Sequence, residues 1–472
     1  MDFFGTRTQH QYLRKRKARF WKVPSNLAPH HLFTSLANRY EQAYLLESAT
    51  GPRNLAEFSF IGFGPVAMIT YRNGKAQVSG EIGGLDKKNI QGPLETVRNS
   101  LQSFGKVEST NRFMGGAVGY ISYDCIRNWE NIPSNLHHSS DFPDIEFGIY
   151  EDGVVYDHRL GEAYYFYFGK DRHREVEESV AGIGSNVGEE FLEYSDFRAN
   201  VSRKDFKEMV TKAKSYITAG DIFQVVLSKQ YQFRLHGSLL SFYRNLRRIN
   251  PSPYMYYLKM GKRTIVGSSP EMLVRVIGRR VTTFPIAGTR PVGQNLQENK
   301  RLVREMLSDP KERAEHVMLV DLARNDLGRV TQFGSVRVRE FMKVRRFSHV
   351  QHIVSRVVGT LSVGMDAFDT VQAVFPAGTM SGAPKVRAME IIEELEPCRR
   401  GPYAGALGYF SFNGNADFAL TIRTLIANGE NATIQSGAGI VADSVPDREW
   451  RESNHKATAL IAALDQSGVN NR

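Results

Sequence analysis

Along the first 170 positions apolar residues come in short bursts, Ala67–Tyr71, Gly116–Tyr123 and Glu162–Phe168 among them, divided by Gly, Asn and Asp. Bursts of that length between turn-forming residues predict the strands of antiparallel sheet. From Asp171 to Asn200 the chain is polar, rich in Glu, Gly and Ser and without apolar periodicity, which predicts a linker or surface excursion. Beyond it the rhythm changes. Phe206, Met209, Val210, Ala213 and Ile217 recur at helical spacing behind Ser202, with Asp205 completing a capping box and Gly220 as the stop. Strand-like runs follow at Phe223–Leu227, Arg263–Gly267, Val281–Pro285 and Phe418–Leu425. Two helical stretches divided by Pro310 come next, then a helix over Val386–Leu395, and the last helix runs from Pro446 to Leu464. The pattern divides the chain into 1–170, an excursion at 171–200 and 201–466. It predicts an α+β protein with large sheets wrapped by helices.

Composition narrows the class. Nowhere do apolar residues run for the ~20 positions a membrane span requires, and the N-terminus lacks the apolar core of a secretory signal. The only cysteines, Cys125 and Cys398, are far apart, which fits a reducing cytoplasm and excludes a disulfide scaffold or cysteine zinc site. The net charge of +11 is concentrated at the start. Arg7, Arg14, Lys15, Arg16, Lys17, Arg19 and Lys22 face the single acid Asp2, so residues 1–22 carry more than half of it. No recognisable nucleic-acid module follows, so this segment reads as a solvated tail or first strand, and the milder charge of the remainder suits an anionic small substrate.

Two pairs of glutamates share one spacing. Glu312 and Glu315 lie three residues apart behind Asp309 and Pro310, a cap and a first-turn proline. Glu449 and Glu452 repeat the arrangement behind Pro446. Each pair falls on one helical face. Such faces are either solvated, with Lys456 pairing with Glu452, or they converge on a hard cation such as Mg²⁺. Gly378-Thr379-Met380-Ser381-Gly382-Ala383-Pro384-Lys385 precedes a helix, and Gln435-Ser436-Gly437-Ala438-Gly439 offers a second bare backbone surface. Each reads either as a tight turn or as an anion cradle. Arg423 interrupts an apolar run and needs an anionic partner, from the protein or from a ligand.

Taken together, Gly220–Ser228, Ser268-Ser269-Pro270-Glu271, Pro285-Ile286-Ala287-Gly288-Thr289-Arg290-Pro291, Glu315–Asp326, Gly378–Lys385 and Gly437–Lys456 resemble the chorismate-utilising enzymes. The resemblance covers Ser202 to Leu464. It implies two large antiparallel sheets packed as a sandwich, with helices outside and the active site between them. It assigns Glu315 and Glu452 to Mg²⁺, with Glu312 and Glu449 as water-mediated partners. Tyr403, Arg423 and the backbone at Gly437 and Gly439 would grip the enolpyruvyl carboxylate, with Ala287, Gly288, Thr289, Thr379, Ala438 and Lys456 also contacting substrate. Glu271 matches the acid that protonates the departing 4-hydroxyl.

Three positions divide the family. Gln224 replaces the lysine that activates water in isochorismate- and salicylate-forming members, leaving ammonia as the better nucleophile. Ala287 replaces the lysine that attacks the ring in aminodeoxychorismate-forming members. His352 matches the histidine linked to pyruvate elimination, although Gln351 beside it departs from the usual apolar residue. These choices imply the anthranilate-forming branch, fed by a separate glutamine amidotransferase subunit. A member that forms 2-amino-2-deoxyisochorismate or aminodeoxychorismate, and a non-catalytic tryptophan-sensing or nucleic-acid-binding protein, are the alternatives. Leu46, Glu47 and Ser48, with Pro253, Tyr254 and Met255, resemble a tryptophan feedback site. Leu45 and Leu46 would equally serve as strand core.

Overall fold

In this computed structural model residues 16–50, 57–80, 92–105, 107–109, 111–134, 136, 141–183, 191–346 and 350–470 are described. Arg7, Arg14, Lys15 and the Phe347–His349 stretch lie outside them. Two antiparallel sheets form the molecule, with fourteen and eleven strands among the described residues. One pairing in the first, Leu192–Tyr194 with Val469–Asn470, is parallel.

The first sheet is covered on both faces at its middle, where Gln42–Glu47 and Tyr254–Met260 bury successive residues rather than alternate ones. In the strand Gln42–Glu47, Ala43 and Leu45 pack with Leu32, Phe33 and Leu36 of the helix Pro29–Arg39. Tyr44, between them, points the other way into the core shared with Val118, Phe147 and Phe418 of the second sheet. Period-two geometry sends neighbouring side chains to opposite faces, so one strand feeds two cores. Helices Arg203–Thr218 and Lys385–Leu395 close a third core over Val225 and Leu227. The expected sandwich with outer helices is therefore the observed one. No helix among the described residues is long and apolar enough to cross a membrane.

Strands from both sides of the 171–200 stretch pair within each sheet: Gln42–Glu47 with Tyr254–Met260, and Gly116–Ile121 with Ala406–Ser411. The stretch itself contains the helix His173–Ala181, which buries Val176 and Ser179 on one short face. The basic N-terminus ends in the strand Arg19–Val23, paired with Glu162–Tyr167.

Local signals placed the helices well. Ser202 accepts from the Asp205 amide, and Asp309 from those of Lys311 and Glu312, each at the start of its helix. The strand expected at Phe223–Leu227 instead runs from Gln224 to Gly237. Its continuation is polar but buried, with Ser228 bonded to Glu396 and Gln230 to Gln435, so hydropathy could not mark it. The run Phe418–Leu425 is not one strand. Ala416–Leu420 belongs to the second sheet and Thr424–Asn428 to the first, because the chain changes sheet between them.

Candidate active site

Two such changes of sheet lie side by side. Arg263–Ser269 pairs in the first sheet and Met272–Ile277 in the second, so Glu271 sits on one crossing and Arg423 on the other. The crossings are tied by the Leu420 amide donating to the Glu271 carbonyl at 3.0 Å and the Ser268 amide to the Arg423 carbonyl at 3.1 Å. Arg423 adopts a left-handed backbone with φ +50°, a conformation that costs a non-glycine residue on the order of 1 kcal/mol. Among the described residues its guanidinium makes no hydrogen bond or ion pair, and burial lowers its affinity for a proton against the pull of Glu271.

Glu271 is the most perturbed acid of the site. Burial pushes its carboxyl from 4.5 up to about 7, opposed by the Thr379 hydrogen bond and the charges of Arg423 and Lys456. The Thr379 hydroxyl donates to Oε1 at 2.8 Å, so the Gly378–Lys385 segment, open between a tight turn and an anion cradle on sequence, presents its threonine to the acid.

His352, in the strand Val350–Thr360, lies beside the bulged strand Ile286–Pro291, where Ala287 pairs with Ile353. Its Nδ1 stands 2.8 Å from the Gly288 carbonyl and 3.1 Å from Thr289 Oγ1. A carbonyl only accepts, so Nδ1 carries the proton and Nε2 the lone pair. Burial holds the ring neutral, with its pKa lowered to about 4. Gln351 donates to the Pro291 carbonyl and to Asn299, which accounts for an amide at that buried position.

Gly437, Ala438 and Gly439 lie on the strand Asn431–Ile440, opposite Ser228, Leu227 and Val226. A Cβ at Gly439 would stand 2.8 Å from the Gln224 amide nitrogen, so glycine is required for Gln224 to occupy this place. Gln224 is buried and its Oε1 has no hydrogen-bond partner among the described residues. Lys456 donates to the Gly437 carbonyl at 3.0 Å and pairs with Glu452 at 2.8 Å. Tyr403 is buried with its ring near Arg400.

Two helices bring the four glutamates towards one another. Glu315 is raised first by burial, then by the charges of Glu312 and Glu452, and Glu449 by burial with Glu452 contributing. Among the described residues no three acids, histidines or cysteines stand close enough to form a metal cluster as they are. Glu312 is held by Arg290 at 2.9 Å and Glu452 by Lys456. The donor set is all carboxylate oxygen and its members repel, which fits a hard divalent cation better than any soft metal.

The six residues expected at a feedback site, Leu46, Glu47, Ser48, Pro253, Tyr254 and Met255, all line one cavity between the sheets. Sequence reading missed its polar floor. Arg275 donates to Asp417 at 2.7 Å and to Tyr254 at 2.9 Å, while Arg112 stands 3.7 Å from the same Asp417 oxygen. Arg275 and Asp417 each interrupt an apolar strand, the same signal that singled out Arg423. Arg290 had no comparable signal.

The chain matches the model of the chorismate binding enzyme family over residues 41–462. It is 49% identical to anthranilate synthase component 1 of Methanothermobacter thermautotrophicus over 440 residues, 93% of either chain. It is 44% identical to the component of the same name from Acetivibrio thermocellus, over 92% of this chain and 93% of that one. The crystal structure of anthranilate synthase component I from Streptococcus pneumoniae superposes with a TM-score of 0.76 at 37% identity, over 86% of this chain and 92% of that one. A menaquinone-specific isochorismate synthase from Escherichia coli shares the fold, with a TM-score of 0.72 at 19% identity over 96% of each chain. This chain belongs to the chorismate binding enzyme family.

Proposed function

We propose that the chain converts chorismate and ammonia to anthranilate and pyruvate, with 201–466 carrying the chemistry and 1–170 supplying much of a tryptophan feedback site. The observation that carries this reading is the pair of crossings. They set an acid titrating near neutrality beside a guanidinium that makes no ion pair among the described residues. An acid with that pKa keeps a proton to give to a departing hydroxyl at neutral pH. The guanidinium, with Tyr403, suits a carboxylate. Gln224 Oε1, buried and an acceptor only, can take a hydrogen bond from ammonia, which would then attack C2 while Glu271 protonates the 4-hydroxyl. His352 Nε2 suits removal of the C2 proton as pyruvate leaves. Glu315 and Glu452, with Glu312 and Glu449 behind them, would hold Mg²⁺, which supplies a positive charge for the ring carboxylate.

The relatives are named as component 1, which supports a further component that releases ammonia from glutamine. The two cysteines, Cys125 and Cys398, lie far apart in the chain, which suits the cytoplasm. Purified chain given chorismate, Mg²⁺ and ammonium at alkaline pH should develop anthranilate fluorescence, lost in Glu315→Gln or Glu452→Gln. Retained turnover overturns the metal assignment. A product with the mass of 2-amino-2-deoxyisochorismate in place of anthranilate overturns the elimination step.

A further inference from the structure

Behind Glu271, on the side of the helix Pro310–Gly328, lies a second cavity with about 40 Å³ of space for water centres. A water needs on the order of 10–15 Å³ and two to four polar partners, so more than one fits. Most of its wall is apolar, including Leu319, Leu322 and Ala323, and its acids are Glu271 and Asp326. Asp326 Oδ2 accepts from Lys385 Nζ at 2.8 Å, and Oδ1 has no partner among the described residues. The Asp326 side chain keeps 15% of its exposure, so this end of the cavity reaches solvent. The function proposed above uses neither Asp326 nor Lys385.

We propose that this cavity is the route by which Glu271 regains its proton after each turnover, with Asp326 as the relay to solvent. The inference rests on the acid role of Glu271. In the step itself the Glu271 O–H gives its proton to the departing hydroxyl, which leaves as water. The carboxylate left behind takes a proton from the adjacent cavity water, that water takes one from its neighbour, and Asp326 gives its own inward and takes another from bulk water. Lys385 keeps the Asp326 oxygens oriented. Burial raises Asp326 against the lowering pull of Lys385 and Arg329, which suits a group that must hold a proton in passing. At the other end Arg423 and Lys456 face Glu271. Leu319, Leu322 and Ala323 give the cavity an apolar wall, so among its lining residues only Glu271 and Asp326 are acids that can exchange a proton with water.

The test separates kcat from kcat/KM. Assayed below pH 7, resting enzyme already has its proton on Glu271, so kcat/KM for chorismate does not include the return step, whereas kcat does. In Asp326→Asn, and independently in Ala323→Val, which narrows the cavity without touching either acid, kcat should fall roughly tenfold or more. The solvent deuterium isotope effect on kcat should rise while kcat/KM stays near wild type. Equal losses in kcat and kcat/KM with no change in isotope effect would mean that Asp326 only braces the Gly378–Lys385 turn, and would overturn the relay. So would wild-type kcat in both variants. If Asp326→Asn does not fold, Ala323→Val decides. Glu271→Gln serves as control. Full activity there removes the acid role itself, while an inactive Glu271→Gln beside unaffected Asp326→Asn and Ala323→Val removes only the relay.

Discussion

Replacing Glu271 by Gln should cut turnover sharply and at the same time stabilise the fold, by an amount that depends on pH. The folded protein holds this proton up to about pH 7, whereas an ordinary glutamate releases it near 4.5. As pH rises through that window the unfolded chain ionises first, so the folded state loses stability, and the loss is complete once the folded carboxyl has also ionised. At 1.36 kcal/mol per unit the window corresponds to roughly 3 kcal/mol. That figure is an upper one, because the side chain keeps some contact with solvent and screening reduces it. Glutamine has nearly the same shape, can still accept from Thr379, and has no charge to bury. Thermal unfolding of the two proteins across a pH series reads the difference directly. The variant should match wild type at the acid end, gain through the window, and hold its advantage above it. Turnover should fall by about 10²–10⁴. A difference in stability that does not change with pH, or a variant less stable above the window, would refute burial as the origin of the shift.

Further outcomes follow from the same geometry. Thr379→Val removes a hydrogen bond to the ionised carboxyl worth about 1.5–3 kcal/mol, so the alkaline limb of the kcat/KM profile should move upward by about one to two pH units; an unmoved limb would separate Thr379 from the acid. Arg423→Gln should raise KM for chorismate by roughly 10–100-fold, the loss of a charge-assisted pair, with a smaller effect on kcat. Glu315→Gln should remove any Mg²⁺-induced rise in unfolding temperature, read without substrate. Ser48→Phe, at the wall of the inter-sheet cavity, should abolish inhibition by tryptophan and leave kcat unchanged; inhibition that persists would place the inhibitor elsewhere.

Much of the molecule was legible along the chain because its causes are local. Ser202 and Asp309 cap the helices they precede, Pro310 divides two helices, and the glutamate spacing follows from 3.6 residues per turn. Motif identity placed Glu271, Gln224, His352 and Arg423 in the candidate site before any contact was known. What the sequence could not convey was which strand pairs with which, since pairing is settled by shape and burial between segments hundreds of residues apart. Leu46 and Met255 come to one cavity only because Gln42–Glu47 is the neighbour of Tyr254–Met260. Arg423 looked like a charge within a strand because hydropathy is blind to a change of sheet. Its left-handed backbone, its place beside Glu271 and the raised pKa of that acid are consequences of two crossings packed together. A pKa, unlike a helix cap, belongs to an environment assembled from distant parts, and here only tertiary packing created that environment.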